Sequence, residues 1–250
     1  MRALTRALNL LEAVASHSSG VNLSDLSEQV DLAPSTAHRL LKGLEARRYI
    51  NQDEERGLWF IGVNAFTVGA VFLHSRNIVS ISRSSMRILM EKTQETVNLA
   101  LRDDLEAIYI SQVECRQIMR SLSTIGARTP LHASGVGKAL LTGLPPRRCH
   151  RVLQRLDYTP ITESTLTRLE DLEANIAQSR IRGYAVDDEE HAIGLRCAAT
   201  PIYNEHGEVI AALSVSGPKA RINDQRLSEL GELVSSSANQ ITLEMGGQIK

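Results

Sequence analysis

The 250-residue sequence predicts an α+β chain in two parts. The first is a small helical domain closed by a two-stranded hairpin; the second is larger, with antiparallel strands carrying helices on one or both sides. Three observations lead there. Apolar residues recur at helical spacing in three segments before residue 48, with a tight turn between the second and third. A nearly continuous apolar run, residues 62–75, separates the two parts. From Ile78 onward, period-2 strand patterns alternate with helical ones.

Taking the elements in order, Leu4, Ala7, Leu8, Leu11, Val14 and Ala15 form the first stripe, and His17-Ser18-Ser19-Gly20 ends it. Ser24 is placed as the N-cap of the second helix, and Asp31 to Pro34 make the turn into the third, whose first turn tolerates proline. On that third helix Ala37, Leu40, Leu41 and Leu44 fall at i, i+3, i+4 and i+7, one buried stripe. Ser35, Thr36, His38, Arg39 and Lys42 lie between them and point outward. Hydroxyls and free backbone N–H groups suit phosphates, and a guanidinium suits base edges. Residues 22–45 therefore read as a helix-turn-helix that meets double-stranded DNA. Arg39 and His38 are assigned to base edges, and Ser35, Thr36 and Lys42 to phosphates. Tyr49 to Ile61 reads as strand, polar turn, strand: a wing, with Arg56 near its tip aimed at a phosphate or the minor groove.

Gly62 to Ser75 has helical length but is apolar nearly all round, and such a helix is buried on most faces. It is expected to link the two domains and pack against a partner subunit. Next come a charged amphipathic helix (Ile81–Glu95), strands at Thr96–Leu101 and Ala107–Val113, and helices at Ser134–Leu144, Arg147–Leu156 and Leu166–Arg182, the last closed by Gly183. Cys197–Tyr203 and Val209–Val215 form a hairpin, and the tail from Asn223 is a final helix over the sheet. The domains are thus 1–61, reading DNA; 62–77, linking and dimerising; and 78–250, a sensor-type α+β domain.

Composition narrows the classes. A 42% hydrophobic share supports buried cores. Cys115, Cys149 and Cys197 lie far apart with no C-x-x-C pair, which excludes a disulfide framework and a zinc module and fits a reducing, cytoplasmic setting. No apolar run approaches the roughly 20 residues that span a bilayer, so no membrane role is expected. The opening Met1-Arg2-Ala3-Leu4 lacks the apolar core of a signal peptide. The net charge is −1, and residues 1–60 carry seven Lys/Arg against eight Asp/Glu. Positive charge is local: Arg39, Lys42, Arg47 and Arg48 face only Glu45 between Pro34 and Arg48. A monomer with so few phosphate contacts binds weakly, so two copies reading a pseudo-palindrome are expected.

Three later segments carry polar residues that a core does not require. In His132-Ala133-Ser134-Gly135-Val136-Gly137-Lys138, glycines at the mouth of a helix are either an anion seat or a tight packing turn. A P-loop is rejected, because His132 stands where its first glycine belongs and Ala139 replaces its hydroxyl. In Asp187-Asp188-Glu189-Glu190-His191, adjacent acids on extended chain point to alternate faces and cannot converge on one metal. Ser214 and Ser216 share one strand face: inside, they need polar partners such as a small ligand; outside, they are ordinary surface. A Ser-His-Asp hydrolase has no G-x-S-x-G elbow to rest on. No catalytic residue, metal or cofactor is assigned.

Taken together, Pro34-Ser35-Thr36-Ala37-His38-Arg39-Leu40-Leu41, Gly57-Leu58-Trp59-Phe60-Ile61-Gly62, Glu95-Thr96-Val97-Asn98, Pro130–Ala139, Asp187–Cys197 and Ser214-Val215-Ser216-Gly217-Pro218 resemble the isocitrate lyase regulator (IclR) family of bacterial transcription regulators over essentially the whole chain. Within it, the chain is most similar to the glyoxylate-sensing members that govern two-carbon metabolism. The resemblance implies a winged helix-turn-helix, a linker helix, a GAF-like effector domain, and homodimers that pair into tetramers. It also implies that a small 2-oxo acid is held by the backbone of Gly135 and Val136 together with Asp187, Cys197, Ser214 and Ser216. Leu195 and Ile118 serve as apolar walls. Where those relatives tend to have alanine this chain has Val136, whose extra methyls are expected to narrow the pocket. Many members carry a basic arm before the first helix; this chain starts almost at that helix, and no contact from such an arm is expected. The expected function is a DNA-binding regulator, a repressor, whose effector is glyoxylate. The rivals are another small acid (pyruvate, an aromatic acid or a sugar acid), activation instead of repression, or an enzyme using its helix-turn-helix for protein contacts.

Overall fold

The computed structural model describes residues 2–53, 55–74, 78–117 and 123–249. The chain divides into two compact units, Met1–Arg76 and Asn77–Lys250. In the first, α1 (Arg2–Ala15), α2 (Leu23–Gln29) and α3 (Pro34–Ala46) precede a hairpin of β1 (Ile50–Asp53) and β2 (Leu58–Ile61), and α4 (Val63–His74) follows. Leu10, Val14, Leu26, Ala37 and Leu41 from the three helices close on Ile50 and the fully buried Trp59 of the hairpin. Val21 exchanges both backbone hydrogen bonds with Trp59 (3.2 and 2.8 Å), which ties the link between α1 and α2 to the wing.

That bridge corrects the cap of α2. Extended chain at Val21 ends at Asn22, and Asn22, not Ser24, caps the helix, its Oδ1 accepting from the Asp25 amide at 2.9 Å. Between α2 and α3, Asp31 takes a left-handed conformation (φ +50°), and Leu32 N–H donates to the Ser27 carbonyl at 3.0 Å. Within its unit α4 is anchored at its start, where the Asn64 side chain donates to the Arg47 carbonyl at 2.7 Å. Beyond that it leaves Val63, Phe66, Val68 and Val71 exposed, Phe66 by 73%.

The second unit is a six-stranded, wholly antiparallel sheet in the order β5-β4-β3-β8-β7-β6. Its strands are β3 (Thr96–Asp103), β4 (Glu106–Val113), β5 (Arg128–Pro130), β6 (Ala185–Asp188), β7 (Leu195–Tyr203) and β8 (Val209–Pro218). Alternation along the strands divides two cores. Val97, Leu99, Ala198, Leu213 and Val215 face α5 (Ile78–Thr93) and α9 (Asp224–Glu244). Ala100, Ala185, Ala199 and Ala212 face α6 (Gly135–Thr142), with α7 (Pro146–Leu153) and α8 (Leu169–Arg182) beyond it. This alanine floor lets α6 lie close to the sheet, and every residue of α6 is buried.

Several helix limits differ from the periodic reading. Helix α5 starts three residues earlier and stops at Thr93, because Gln94 adopts φ +59°. Helices α6 to α8 are shorter, with Ser134 capping α6 through the Gly137 amide at 3.2 Å. Gly183 closes α8 in the left-handed region (φ +87°) that glycine alone enters freely.

Candidate functional site

On the first unit the residues expected to touch DNA share one side of α3. Ser35, His38, Arg39 and Lys42 are exposed and Thr36 is half-buried, while Ala37 and Leu41 are buried beneath. The N-terminus of α3 is chemically open. Ala33 supplies no side-chain cap, Pro34 has no N–H, and the Ser35 amide has no acceptor among the described residues. Unpaired amides and the positive end of the helix dipole suit an anion such as a phosphate. The guanidinium of Arg39 forms no ion pair among the described residues. Lys42 is engaged: its Nζ donates to Glu45 Oε2 (2.8 Å) and Gln52 Oε1 (3.1 Å) and lies 5.2 Å from the centre of the Trp59 ring. These bonds are exposed, so exchanging them for a phosphate costs little. Arg56 stands in the turn of the wing, 3.9 Å from Asp53 and largely exposed.

In the second unit strand register builds the other site. Asp187, Cys197, Ser216 and Thr96 lie directly across from one another on β6, β7, β8 and β3; Ala185, Ala199, Ser214, Asn98 and Gln112 form the parallel row, reaching β4. Cross-strand partners share a face, here the face toward α6, so both serines point inside, and both are buried. Above them is a cavity of about 710 Å³ whose lining includes Gly135, Asp187, Leu195, Cys197, Ser214 and Ser216. Six of the eight residues expected around a ligand therefore meet. The Val136 side chain does not line it: it packs into the core behind α6, so its extra methyls do not narrow the space. Ile118 lies outside the described residues.

The glycines of this turn are required by packing. A Cβ on Gly135 would stand 2.7 Å from Cys197 Sγ, and one on Gly137 2.5 Å from Leu131 Cα. That does not exclude the anion seat: as the first two residues of α6, Gly135 and Val136 keep amides with no acceptor among the described residues. The packing reading of this segment is thus met, and the two free amides leave room for the other.

The acidic run has four separate fates. Asp188 pairs with Arg196 at 2.6 Å, Glu189 with Lys219, and Glu190 with the fully buried Lys138 at 2.5 Å. Asp187 alone turns into the cavity, its Oδ1 accepting from the Glu190 amide at 2.8 Å and the His191 amide at 3.3 Å. Burial first, and the neighbouring Glu190 second, push its pKa up to about 7 despite the opposing pull of Lys138 and those two amides. Burial and the proximity of Asp187 also push the Cys197 thiol far up, so it is a neutral contact rather than a nucleophile. No cluster able to hold a metal occurs among the described residues.

Sequence reasoning missed four contributors. Tyr109 lines the cavity, and burial raises its phenol. Asn98 and Gln112 stand behind Ser216 and Ser123. Lys138 reaches Glu190 across 52 positions of sequence. The signal for Lys138 was present, since a single lysine in the apolar run Ala139-Leu140-Leu141 needs a buried partner.

Comparison with known proteins covers both units. Residues 3–54 match the IclR helix-turn-helix domain, and residues 70–243 match the C-terminal domain of the bacterial transcriptional regulator IclR. The chain is 46% identical to the acetate operon repressor of Salmonella typhimurium over 249 residues, 99% of this chain and 91% of that one. It is 40% identical to the HTH-type transcriptional repressor AllR of Escherichia coli over 245 residues, 98% and 90% of the two chains. The crystal structure of IclR from Thermotoga maritima superposes with a TM-score of 0.83 at 27% identity, covering 98% of this chain and 99% of that one. With an open recognition helix in one unit, a walled cavity in the other and family matches across both, the chain belongs to the IclR family of bacterial transcriptional regulators.

Proposed function

We propose that this protein is a transcriptional repressor that binds a pseudo-palindromic operator as a homodimer, further paired into a dimer of dimers, and that a small 2-oxo acid, glyoxylate first among candidates, modulates its grip. Residues 1–61 read the DNA, 62–77 join the subunits and 78–250 hold the effector, all in the cytoplasm. One observation carries the reading: an exposed, uncapped recognition helix and a cavity lined by Gly135, Asp187 and two buried serines occur in the same chain. Arg39 and His38 meet base edges, Ser35, Thr36 and Lys42 hold phosphates, and Arg56 reaches in from the wing. The exposed Val63, Phe66, Val68 and Val71 of α4 are the surface for a second copy, because an apolar stripe of that size costs free energy in water.

In the cavity the amides of Gly135 and Val136 seat the carboxylate, while Ser214, Ser216 and a protonated Asp187 face the oxygen on C2. Cys197 and Leu195 close the sides, and Ile118 is assigned as a further apolar wall. That the Salmonella and E. coli relatives are repressors supports repression over activation. No helix among the described residues is long and apolar enough to cross a membrane. A volume of about 710 Å³ exceeds what a two-carbon acid fills, which supports a longer acid as the second reading. Thermal-shift screening of small acids separates the two, because the preferred ligand raises the melting point most. The principal test is fluorescence anisotropy with the promoter fragment upstream of the protein's own gene. Binding at low ionic strength that shifts in millimolar glyoxylate supports the proposal; no binding overturns it. Binding that ignores every small acid overturns the effector half.

A further inference from the structure

The hydroxyl of Ser216 has its polarity set from behind. Gln112 Nε2 lies 2.6 Å from the Ser123 carbonyl oxygen, which only accepts, so this atom is the NH2 of Gln112. The same NH2 lies 2.9 Å from both an Asn98 side-chain atom and the Ser123 hydroxyl, and that hydroxyl donates to the Asn98 atom at 3.0 Å, so the Asn98 atom faces two donors. That atom is therefore Asn98 Oδ1, and the opposite corner of the carboxamide, Nδ2, faces Ser216 Oγ at 3.2 Å. Asn98 is buried, and turning its carboxamide over would lose both bonds to Oδ1. Ser216 thus accepts from Asn98, and its one proton has no acceptor among the described residues while its oxygen lines the cavity.

We propose that Asn98, held by Gln112 and Ser123, is a positioning residue that locks Ser216 as a hydrogen-bond donor and makes the cavity select acids whose C2 oxygen only accepts. This inference rests on the effector reading above and deepens it. The helix-mouth amides and Asp187 agree in polarity. The Gly135 and Val136 amides donate, and at pH 6 Asp187, with its pKa of about 7 and its Oδ1 already accepting two amides, has a proton to give from its other oxygen. A 2-oxo acid satisfies every one of these donors. A 2-hydroxy acid brings one more O–H into a place already lined by protons, and a buried donor without a partner is costly.

Pyruvate and L-lactate test this directly, since they share length and charge and differ in the C2 oxygen. Calorimetry on the full-length protein at pH 6 is expected to give at least about tenfold tighter binding of pyruvate. Asn98→Asp replaces the Nδ2 donor with an acceptor, so Ser216 turns its proton toward residue 98 and offers a lone pair to the ligand. The added charge weakens both monoanions alike, and the ratio, the quantity read, falls to one or below. Gln112→Glu reaches the same end without touching Asn98, by presenting an acceptor that turns the carboxamide over. Ser216→Ala removes this donor and leaves the others, so the ratio falls well below the wild-type value, and its small side chain keeps the fold available if either polar variant does not fold. A wild-type ratio kept within about twofold in Asn98→Asp and Gln112→Glu, or in Ser216→Ala, overturns the proposal. So does a wild type that binds the two acids equally. A wild type that binds neither acid sinks the effector reading, and this inference with it, a result told apart by the absence of any heat in the unmodified protein.

Discussion

Raising the pH from 6 to 8 should weaken effector binding about tenfold, through Asp187. Its carboxyl is buried in the cavity beside Glu190 and has a pKa of about 7, against 3.8 for the free side chain. Below 7 it is neutral and above 7 it is ionised. A 2-oxo acid arrives as a monoanion. Two like charges about 5 Å apart, at an effective dielectric near 20, repel by about 3 kcal/mol. That exceeds a hundredfold in affinity, so binding follows the neutral fraction, which falls about tenfold between pH 6 and pH 8. The same shift has a consequence for stability. The folded state holds this proton more tightly than the unfolded state, so stability is lost as pH rises from about 4 to about 7, by at most ~4 kcal/mol. Calorimetric titration of glyoxylate into wild type and Asp187→Asn from pH 6 to pH 8 is the assay. The wild-type affinity should drop and the variant's should stay level. A level wild-type profile, or an equal drop in the variant, refutes the reasoning.

Three further outcomes follow from the geometry. Gly135→Ala forces a Cβ to within 2.7 Å of Cys197 Sγ; it should cost about 1–3 kcal/mol of stability in a thermal melt, and adding Cys197→Ala should restore most of that loss. Arg39→Ala should weaken specific operator binding by about 1–3 kcal/mol in an anisotropy titration without lowering the melting temperature, because the guanidinium is exposed and forms no ion pair among the described residues. Lys138→Met leaves Glu190 buried without its cation and should cost about 3–5 kcal/mol in urea unfolding, whereas the double variant Lys138→Met/Glu190→Leu should cost clearly less.

The recognition helix was legible because everything that decides it is local. Ala37, Leu40, Leu41 and Leu44 fall on one stripe, and the residues between them have nowhere to go but out. Gly183 was legible for the same reason, as a helix end read from its neighbours. Ser24 misled because the true cap, Asn22, is chosen by a bridge from Val21 to Trp59, 38 positions away. The cavity is of that long-range kind. That Ser214 and Ser216 share a face follows from strand period, but that the face is inside depends on β8 lying between β3 and β7. Which of four adjacent acids enters the cavity is decided by Lys138, Arg196 and Lys219, drawn from three other elements or loops. Asn98 and Ser216 stand 118 residues apart, and no local pattern joins them.

Occupancy of the cavity beneath α6 is expected to change the grip of α3 on its operator. The direct measurement is the operator affinity with and without saturating glyoxylate, in wild type and in Ser214→Ala/Ser216→Ala. A coupling of about 1–3 kcal/mol predicts a change of roughly 5- to 150-fold in wild type. The double variant should bind DNA as wild type does without effector and show no response when glyoxylate is added. An unchanged wild-type affinity, or a full response that survives the loss of both hydroxyls, would contradict the account.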